Sequence, residues 1–284
     1  MQLHIICDIR KLIADIFTYL VLGLGSIIFL TPIAWLLSTS LKDNQQVFRM
    51  PPSLIPSPAL WKNYWDVLTA SGLPFGRFFF NSLVIVCSAT IGAVISSSIV
   101  SYSFARIRWK GRDSLFFIVI MTMVIPAEVI IVPQFVIYNT IGWVDTYLPL
   151  IAPSFFGIPF HIFILRQYMR GIPIEMDEAA EIDGCNRWSI LWRIIFPQSK
   201  AAILTIVIYS IQGHWNAFME PLIYLNTTEK FTVTLGLSFF KGQFGTQWGL
   251  LMAASVMVVL PILLLFVVAQ KQFVQGIVVS GVKG

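Results

Sequence analysis

The sequence predicts an all-α polytopic membrane protein, and three observations support that prediction. Hydrophobic residues make up 57% of the 284 residues and charged residues only 12%, well below the roughly 25% charge of a soluble domain. Six apolar segments each approach the roughly 20 residues that a helix needs to cross a bilayer. Lysine and arginine are concentrated in alternate loops between these segments, as expected for cytoplasmic loops. Most of the protein surface is therefore expected to contact lipid.

The six predicted spans cover residues 13–37, 78–99, 115–137, 148–165, 201–225 and 250–268. The first is too long for the apolar core of a signal peptide and lacks a small-residue cleavage site, so we expect it to remain as a span. Proline removes a helical hydrogen bond, so the prolines of the third and fourth spans predict kinks there. These prolines are Pro126, Pro133, Pro149, Pro153 and Pro159. We treat residues 1–284 as a single transmembrane domain.

The distribution of positive charge predicts the orientation of these spans. If the N-terminus is cytoplasmic, the inner segments hold 13 of the 19 Lys and Arg residues, and the turn ARIRWKGR at residues 105–112 contributes most clearly. Both termini and the long loop at residues 166–200 are then cytoplasmic. The net charge of +5 follows from this bias. It forms no basic stripe, so no nucleic-acid partner is expected.

The loop at residues 166–200 is the least hydrophobic part of the chain, and its pattern predicts two short helices. Pro173 ends the preceding helix, and the acids Glu175, Asp177 and Glu178 follow in the first turn of a new one, where the helix dipole favours them. Gly184 permits a turn that a side chain would obstruct. A second amphipathic helix then leads to Pro197. We expect both helices to lie across the membrane face.

The spacing within this loop matches a known motif. It has Glu178-Ala179-Ala180, then three residues to Gly184, nine to Ile194, and Phe196-Pro197 after one more. This pattern resembles the EAA loop of binding-protein-dependent ABC importer permeases, and departs from it only in Phe196, where that family has leucine. Other stretches resemble the carbohydrate-uptake branch, and most closely the smaller permease subunit of maltose-type systems. They are FNS at 80–82, IPAEVIIVPQF, HWNAFMEPLIYL and the tail QKQFVQGIVVSGVKG.

The resemblance implies a transport subunit that is not itself an enzyme. Its loop would dock on a separate ABC ATPase dimer, which binds ATP and Mg²⁺; this chain has no G-x-x-x-x-G-K-[ST] phosphate loop and is expected to hold no cofactor or metal. A second, homologous permease (making a heterodimer) and an extracytoplasmic substrate-binding protein complete the expected partners, in the bacterial cytoplasmic membrane. The cargo would be a sugar or a related polyol or oligosaccharide. The implied coupling residues are Glu178, Ala179, Ala180, Asp183, Gly184 and Pro197, together with the C-terminal Gly281, Val282, Lys283 and Gly284.

Polar residues within the spans are the candidates for the substrate pathway. An ionised carboxyl at mid-span costs about 2.5–3.5 kcal/mol on insertion scales, so Glu128 either lies on a pathway or bonds backbone freed by the nearby prolines. The polar side chains in the fifth span either contact substrate or hold helices together. The candidates are Asn81, Glu128, Gln212, Trp215 and Asn216. His161 and His214 are isolated in the sequence, so no ligand role is expected for them.

Two other classes of protein remain as alternatives. An ion-coupled secondary transporter using Glu128 would be expected to show internal repeats and several intramembrane acids, whereas the sequence shows one clear acid and no obvious repeat. A membrane enzyme would need clustered His, Asp or Ser at a membrane face, and no such cluster stands out. The three cysteines, Cys7, Cys87 and Cys185, are far apart and indicate neither a disulfide framework nor a zinc site.

Overall fold

A computed structural model of the chain describes residues 2–69, 74–241 and 247–281, with side chains for 11–12, 14–69, 74–241 and 247–270. Within these ranges the chain forms α-helices, with short 3₁₀ and π turns, and no β-strand. The α-helices are α1 (Gln2–Ser40), α2 (Asn44–Val47), α3 (Lys62–Thr69), α4 (Phe75–Arg106), α5 (Arg112–Met121), α6 (Ala127–Thr140), α7 (Leu148–Ile151), α8 (Pro159–Arg170), α9 (Glu175–Ile182), α10 (Arg187–Ile190), α11 (Phe196–Gln198), α12 (Lys200–Asn216), α13 (Met219–Tyr224), α14 (Val233–Leu237) and α15 (Trp248–Gly281).

Between four and six segments of the described chain are long and apolar enough to cross a membrane. Four meet this test singly: Ala14–Ser40, Phe75–Arg106, Leu148–Arg170 and Trp248–Gln270. Two more arise if each of two bent helix pairs counts as one span. These pairs are Arg112–Val124 with Ala127–Thr140, and Arg187–Gln198 with Lys200–Asn216. The protein is thus an all-helical, multi-pass membrane protein.

The predicted third span is broken at its first proline. A 3₁₀ turn at Thr122–Val124 follows α5, and Ile125 is extended (φ −79°, ψ 119°), the conformation that a following proline favours. Pro126 then caps α6, and the two halves are bent by 99°. The structure therefore shows a sharp break here, stronger than the kink that the sequence predicts.

The predicted fourth span is also divided by its prolines. Pro149 lies in the first turn of α7, where the missing N–H costs nothing, and a 3₁₀ turn at Ala152–Phe156 follows. Gly157 adopts a left-handed conformation (φ +91°), and Pro159 then begins α8. The backbone of this segment is irregular at the point where several polar side chains gather, as described below.

Contacts divide the chain into two compact units. The first comprises Met1–Ala70 and Phe239–Met257. In it, the Asn63 amide donates to the carbonyls of Ser40 (2.8 Å) and Lys42 (3.0 Å), which fixes α3 against the end of α1. The Trp248 N–H donates to Asn44 Oδ1 (2.8 Å), so the start of α15 is held to α2.

The second unit comprises Ser71–Ser238 and Val258–Gly284, and α4 is its central helix. Helix α4 packs on α8 and α12 and on the 3₁₀ turn at Ala152–Phe156. Serine hydroxyls fasten these contacts: Ser96 donates to the Ser154 carbonyl (2.8 Å) and Ser101 to the Ile162 carbonyl (3.0 Å). Such bonds between helices are the expected means of association where lipid removes the hydrophobic drive.

A hydrophobic core closes one end of this second unit. It joins side chains from α4, α8, α9, α10 and α12 with those of the π turn at Leu191–Ile195. Its buried members are Tyr102, Leu165, Met169, Ala180, Ile190, Leu191, Ile195, Ala202, Ile203 and Ile206. We call this set the loop core, because it anchors the loop at residues 166–200 to the long helices.

Candidate coupling loop and transport cavity

The motif-bearing helix α9 has one face in the loop core and one face exposed. Asp177 (1% exposed) and Ala180 (5%) lie on the buried face. Glu178, Ala179 and Ile182 lie on the exposed face, and Ile182 is 86% exposed although it is aliphatic. The resemblance implies that Ala179 and Ala180 are both coupling residues. The structure separates them, because Ala180 contacts the protein's own core.

The turn after α9 depends on Gly184. Its φ of +83° lies in the left-handed region, and a methyl group added to its Cα would have no atom beyond its chain neighbours within 4 Å, so glycine is required by conformation and not by space. The Cys185 N–H donates to the Ala180 carbonyl (2.9 Å), which closes the helix C-terminus. Asn186 then caps α10 by accepting from the Ser189 N–H (2.8 Å). The two helices hinged at Gly184 are therefore confirmed.

The second half of the loop returns the chain to α12. Leu191 and Ile195 of the π turn are buried in the loop core, whereas Trp188 is 59% exposed and Pro197 is also exposed. Arg187 pairs with Glu181 across the Gly184 turn at 2.7 Å. Asp183 and Gly184 are both exposed. The exposed surface of the loop thus combines carboxylates with the apolar side chains of Ile182 and Trp188.

A buried ion pair anchors the buried face of α9 to the end of α4. Arg106, the last residue of α4, lies 3.5 Å from Asp177 Oδ1, and both side chains are at most 3% exposed. Burial raises the pKa of Asp177, against the attraction of Arg106 and Arg187. Neither Asp177 oxygen accepts a hydrogen bond from the described part of the chain. No pattern in the sequence indicates this pair, because its members are separated by two predicted spans.

The structure supports a packing role for two of the predicted pathway residues. The Asn81 amide is buried and donates to the carbonyls of Glu229 (2.8 Å) and Phe231 (3.0 Å). The Trp215 indole is 2% exposed and donates to the Val258 carbonyl (3.0 Å). Both side chains donate to backbone carbonyls, which favours the second of the two roles left open by the sequence, that of holding segments together.

The other three candidates remain accessible. Gln212 and Asn216 are exposed on α12. Glu128 is exposed in the first turn of α6 and makes no hydrogen bond or ion pair with the described residues. It lines a cavity of about 200 Å³ together with Gln134 and Glu220. It does not bond the backbone freed by the prolines.

A larger cavity lies between α6, α8, α12 and α13, and we call it the His161 cavity. Its volume is about 410 Å³. Its polar side chains come from segments far apart in the sequence, so two histidines that are isolated in the sequence line the same space. The polar and tyrosine residues of the lining are Gln134, Tyr138, Ser154, His161, Tyr209, Ser210, His214, Glu220, Tyr224 and Thr232.

A hydrogen-bonded chain fixes one wall of this cavity. His214 Nδ1 lies 2.8 Å from the Ser210 carbonyl, which can only accept, so Nδ1 carries the proton. In a neutral ring Nε2 must then accept, and Ser154 Oγ lies 3.2 Å from it. Ser210 Oγ in turn lies 3.0 Å from Thr90 Oγ1 on α4. These bonds leave His214 with no free donor.

A second polar cluster lies outside the predicted spans. Asp145, between α6 and α7, has φ +62° and accepts from the N–H groups of Asn226 (3.0 Å) and Thr227 (2.9 Å). Its Oδ2 accepts from the Thr227 hydroxyl (2.6 Å) and from Lys230 Nζ (2.8 Å). Partial burial would raise the pKa of Asp145, but these donors outweigh it and hold that pKa well below its ordinary value.

Broken apolar helices around a polar cavity, with a charged loop anchored to the ends of the long helices, are features expected of a membrane transport subunit. Residues 91–279 match the family described as binding-protein-dependent transport system inner membrane component. The chain belongs to this family, as a permease subunit that works with a separate ATPase. The ion-coupled alternative receives no support from the family or from the relatives.

Similar proteins span nearly the whole chain. The arabinooligosaccharides transport system permease protein AraQ of Bacillus subtilis is 34% identical over 91% of this chain and 92% of its own length. The inner membrane ABC transporter permease protein YcjP of Escherichia coli is 30% identical over 97% and 99%. The sn-glycerol-3-phosphate transport system permease protein UgpE of Yersinia enterocolitica is 29% identical over 94% and 96%.

The fold also matches a solved structure. A chain in the crystal structure of a bacterial ABC transporter involved in the import of the acidic polysaccharide alginate superposes with a TM-score of 0.74. It is 24% identical, and the match covers 91% of this chain and 96% of that one. At this identity the likeness establishes the fold.

Of the predicted C-terminal contacts, Gly281 ends α15, and Val282, Lys283 and Gly284 lie outside the described residues.

Proposed function

We propose that this chain is one permease subunit of an ATP-driven importer that moves a sugar or oligosaccharide across a bacterial cytoplasmic membrane. The family assignment and the relatives named for arabinooligosaccharide and sn-glycerol-3-phosphate transport support this proposal. The observation that carries it is the two-sided helix α9. Ala180 is held in the loop core and Asp177 is buried beside Arg106. Glu178, Ala179 and Ile182 lie on the exposed face.

The proposed topology has six spans, with both termini and the loop in the cytoplasm. The bent pair Arg112–Val124 with Ala127–Thr140 counts as the third span. The fifth span consists of α12 continued by α13, and Arg187–Gln198 stays in the cytoplasmic loop. The excess of Lys and Arg in the loops assigned to the cytoplasm supports this orientation. The Asp145 cluster then lies on the outer side.

The proposed partners supply the functions that this chain lacks, which are ATP binding, the rest of the pathway and cargo capture. A separate ATPase dimer binds ATP and Mg²⁺ and receives α9, with Asp183, Gly184 and Pro197 flanking the contact. The C-terminal residues, Gly281 to Gly284, approach the same ATPase. A second permease completes a heterodimer and the pathway, and an extracytoplasmic binding protein delivers the cargo.

The mechanism is mechanical coupling. Closure of the ATPase dimer on ATP displaces α9, and the loop core carries that displacement to α4, α8 and α12. Rearrangement of these helices exposes the pathway to the outer side, and hydrolysis returns it to the inner side. The residues of this chain bind, pack and transmit, and form no covalent intermediate.

The test compares the wild-type chain with the Glu178→Ala variant. Each is tagged and purified from native membranes, and the amount of ATPase that copurifies is measured. Loss of one charged contact should weaken ATPase docking by about 1–3 kcal/mol, or about 5- to 150-fold, and should reduce sugar uptake in parallel. Asp66→Ala, at an acid on α3 outside the loop, is the matched control and should change neither. Full ATPase recovery and uptake in Glu178→Ala would argue against the coupling assignment.

A further inference from the structure

We propose that the His161 cavity is a sugar-binding site of this subunit and that it selects a neutral, hydroxyl-rich sugar unit over an anionic one. The inference rests on the proposed function and specifies the cargo that this chain contacts. None of the pathway candidates that the sequence suggests lines this cavity.

The size of the cavity suits a small ligand. At about 410 Å³ it falls in the roughly 300–1,000 Å³ range of small-molecule sites. Aromatic surface is supplied by Tyr138, Tyr209 and Tyr224, and aromatic faces pack well on the C–H face of a sugar ring. The Tyr209 ring is oriented by an edge contact with Phe160, 5.2 Å between centroids.

Several polar groups of the lining have unused hydrogen-bonding capacity. His161 is 4% exposed and its Nδ1 makes no hydrogen bond to the described part of the chain, although burial of an unpaired polar group costs free energy. Gln134 accepts from the Tyr224 hydroxyl with Oε1 (3.4 Å), which leaves its amide nitrogen as a donor. Glu220 has no ion-pair partner among the described residues. A ligand with many hydroxyls, each both donor and acceptor, satisfies all three.

The charge of the lining excludes an anion. The residues that line the His161 cavity include the carboxylate of Glu220 and no Lys or Arg. Phosphate and carboxylate ligands are generally held by guanidinium or ammonium groups, so a phosphorylated or uronic-acid cargo would meet an uncompensated negative charge here. In this respect the cavity favours cargo of the arabinooligosaccharide kind over glycerol phosphate or alginate.

The wall that faces this ligand is already fixed. Hydrogen bonds run from Ser154 through His214 and Ser210 to Thr90. They hold the His214 ring and the side chains beside it in one arrangement. A preorganised wall lowers the ordering cost of binding. It also ties the cavity to the middle of α4, and Tyr102 near the C-terminal end of the same helix belongs to the loop core.

The experiment uses the intact importer in native membranes and two labelled probes of similar size. The probes are a neutral arabinose disaccharide and a galacturonic acid disaccharide, and each is also made with a photoreactive diazirine. Uptake measures function, and mass spectrometry of the crosslinked importer locates the sugar. We expect uptake of the neutral probe alone, with adducts on α8 or α12 of this chain.

His161→Leu and Tyr209→Ala are the test variants, and Tyr168→Ala, on α8 outside the cavity, is the control. The loss of one hydrogen bond or stacking face should lower crosslinking to this chain about tenfold, and the control should crosslink like the wild type. A purely structural His161 would tolerate leucine, which removes an unpaired buried polar atom. Normal crosslinking and transport by His161→Leu would therefore contradict the proposal.

The outcomes separate the two proposals. Normal uptake of the neutral disaccharide with adducts only on the second permease would overturn the cavity assignment and leave the proposed function intact. Preferred uptake of the uronic acid probe would overturn the charge selection. If neither disaccharide is imported in an ATP-dependent manner, both the cavity assignment and the carbohydrate function fail.

Discussion

At the scale of single residues, Arg106 and Asp177 show how a charge pair serves position more than stability. Each charge loses its hydration on burial, and at 3.5 Å without a hydrogen bond the attraction offsets this cost only in part. The raised pKa of Asp177 agrees with that balance. What the pair does secure is the register of α9 on the end of α4.

Removing one member of this pair should be far worse than removing both. Asp177→Ala leaves the Arg106 charge buried and unpaired, which should destabilise the purified complex by about 3–5 kcal/mol. The double replacement Arg106→Met with Asp177→Leu should recover most of this loss. Thermal unfolding in detergent measures both, with Glu175→Ala, an exposed acid on the same helix, as the control. Equal losses for Asp177→Ala and Glu175→Ala would contradict the prediction.

Asp145 should make stability depend on acid pH. Because the pKa of Asp145 is lowered in the folded protein, its contribution is fully present above the ordinary aspartate value of about 3.9 and is lost as the pH falls below it. Asp145→Asn should therefore lower thermal stability at neutral pH and flatten its acid dependence. If the thermal stability of Asp145→Asn fell as steeply with decreasing pH as that of the wild type, this role would be contradicted.

At the scale of elements, the pattern of prolines and glycines predicts where helices are interrupted but not by how much. Pro126 marks a break in the sequence, yet the 99° bend depends on the 3₁₀ turn before it and on the extended Ile125. The following proline accounts for the extended Ile125, but neither the 3₁₀ turn nor the size of the bend has a signal in the sequence. Gly184 is easier to interpret, since a glycine between two short amphipathic segments has few other uses.

Gly184 gives a prediction that separates conformation from crowding. Gly184→Val should destabilise the loop by about 1–2 kcal/mol, because a branched side chain resists the left-handed conformation although space is available. Gly184→Asn should cost clearly less, since asparagine tolerates that conformation. Limited proteolysis of the loop and ATPase recovery measure the effect. Equal effects of asparagine and valine would show that contact with a partner, and not φ, requires glycine here.

At the scale of the whole molecule, composition and charge bias predict the class of protein and its candidate loop, but not the cavity. His161 and His214 lie far apart in the chain, and only the packing of α8 on α4 and α12 brings them to one space. The sequence leaves the roles of Asn81 and Trp215 open for the same reason. Whether an amide or indole meets a substrate or a backbone carbonyl is decided by long-range packing, of which a single sequence carries no record.

The proposed topology can be tested by cysteine accessibility. In a background without Cys7, Cys87 and Cys185, a cysteine at Ile182 should react with an impermeant maleimide only from the cytoplasmic side, because that side chain is exposed on the loop. A cysteine at Trp61, also exposed, should react only from the outer side. Reaction of both from the same side would exclude the six-span orientation.

The loop core also determines how rigidly α9 is attached to the long helices. Ala180, Leu165, Tyr102 and Ile206 meet in one packed cluster. The segment that we propose as the ATPase contact is therefore rigidly attached to the long helices. Close-packed interiors have low compressibility and pass strain on to their neighbours. A displacement of α9 is therefore expected to move the long helices with it. A cavity-forming substitution in the loop core should weaken this coupling, so that less sugar is transported for each ATP hydrolysed.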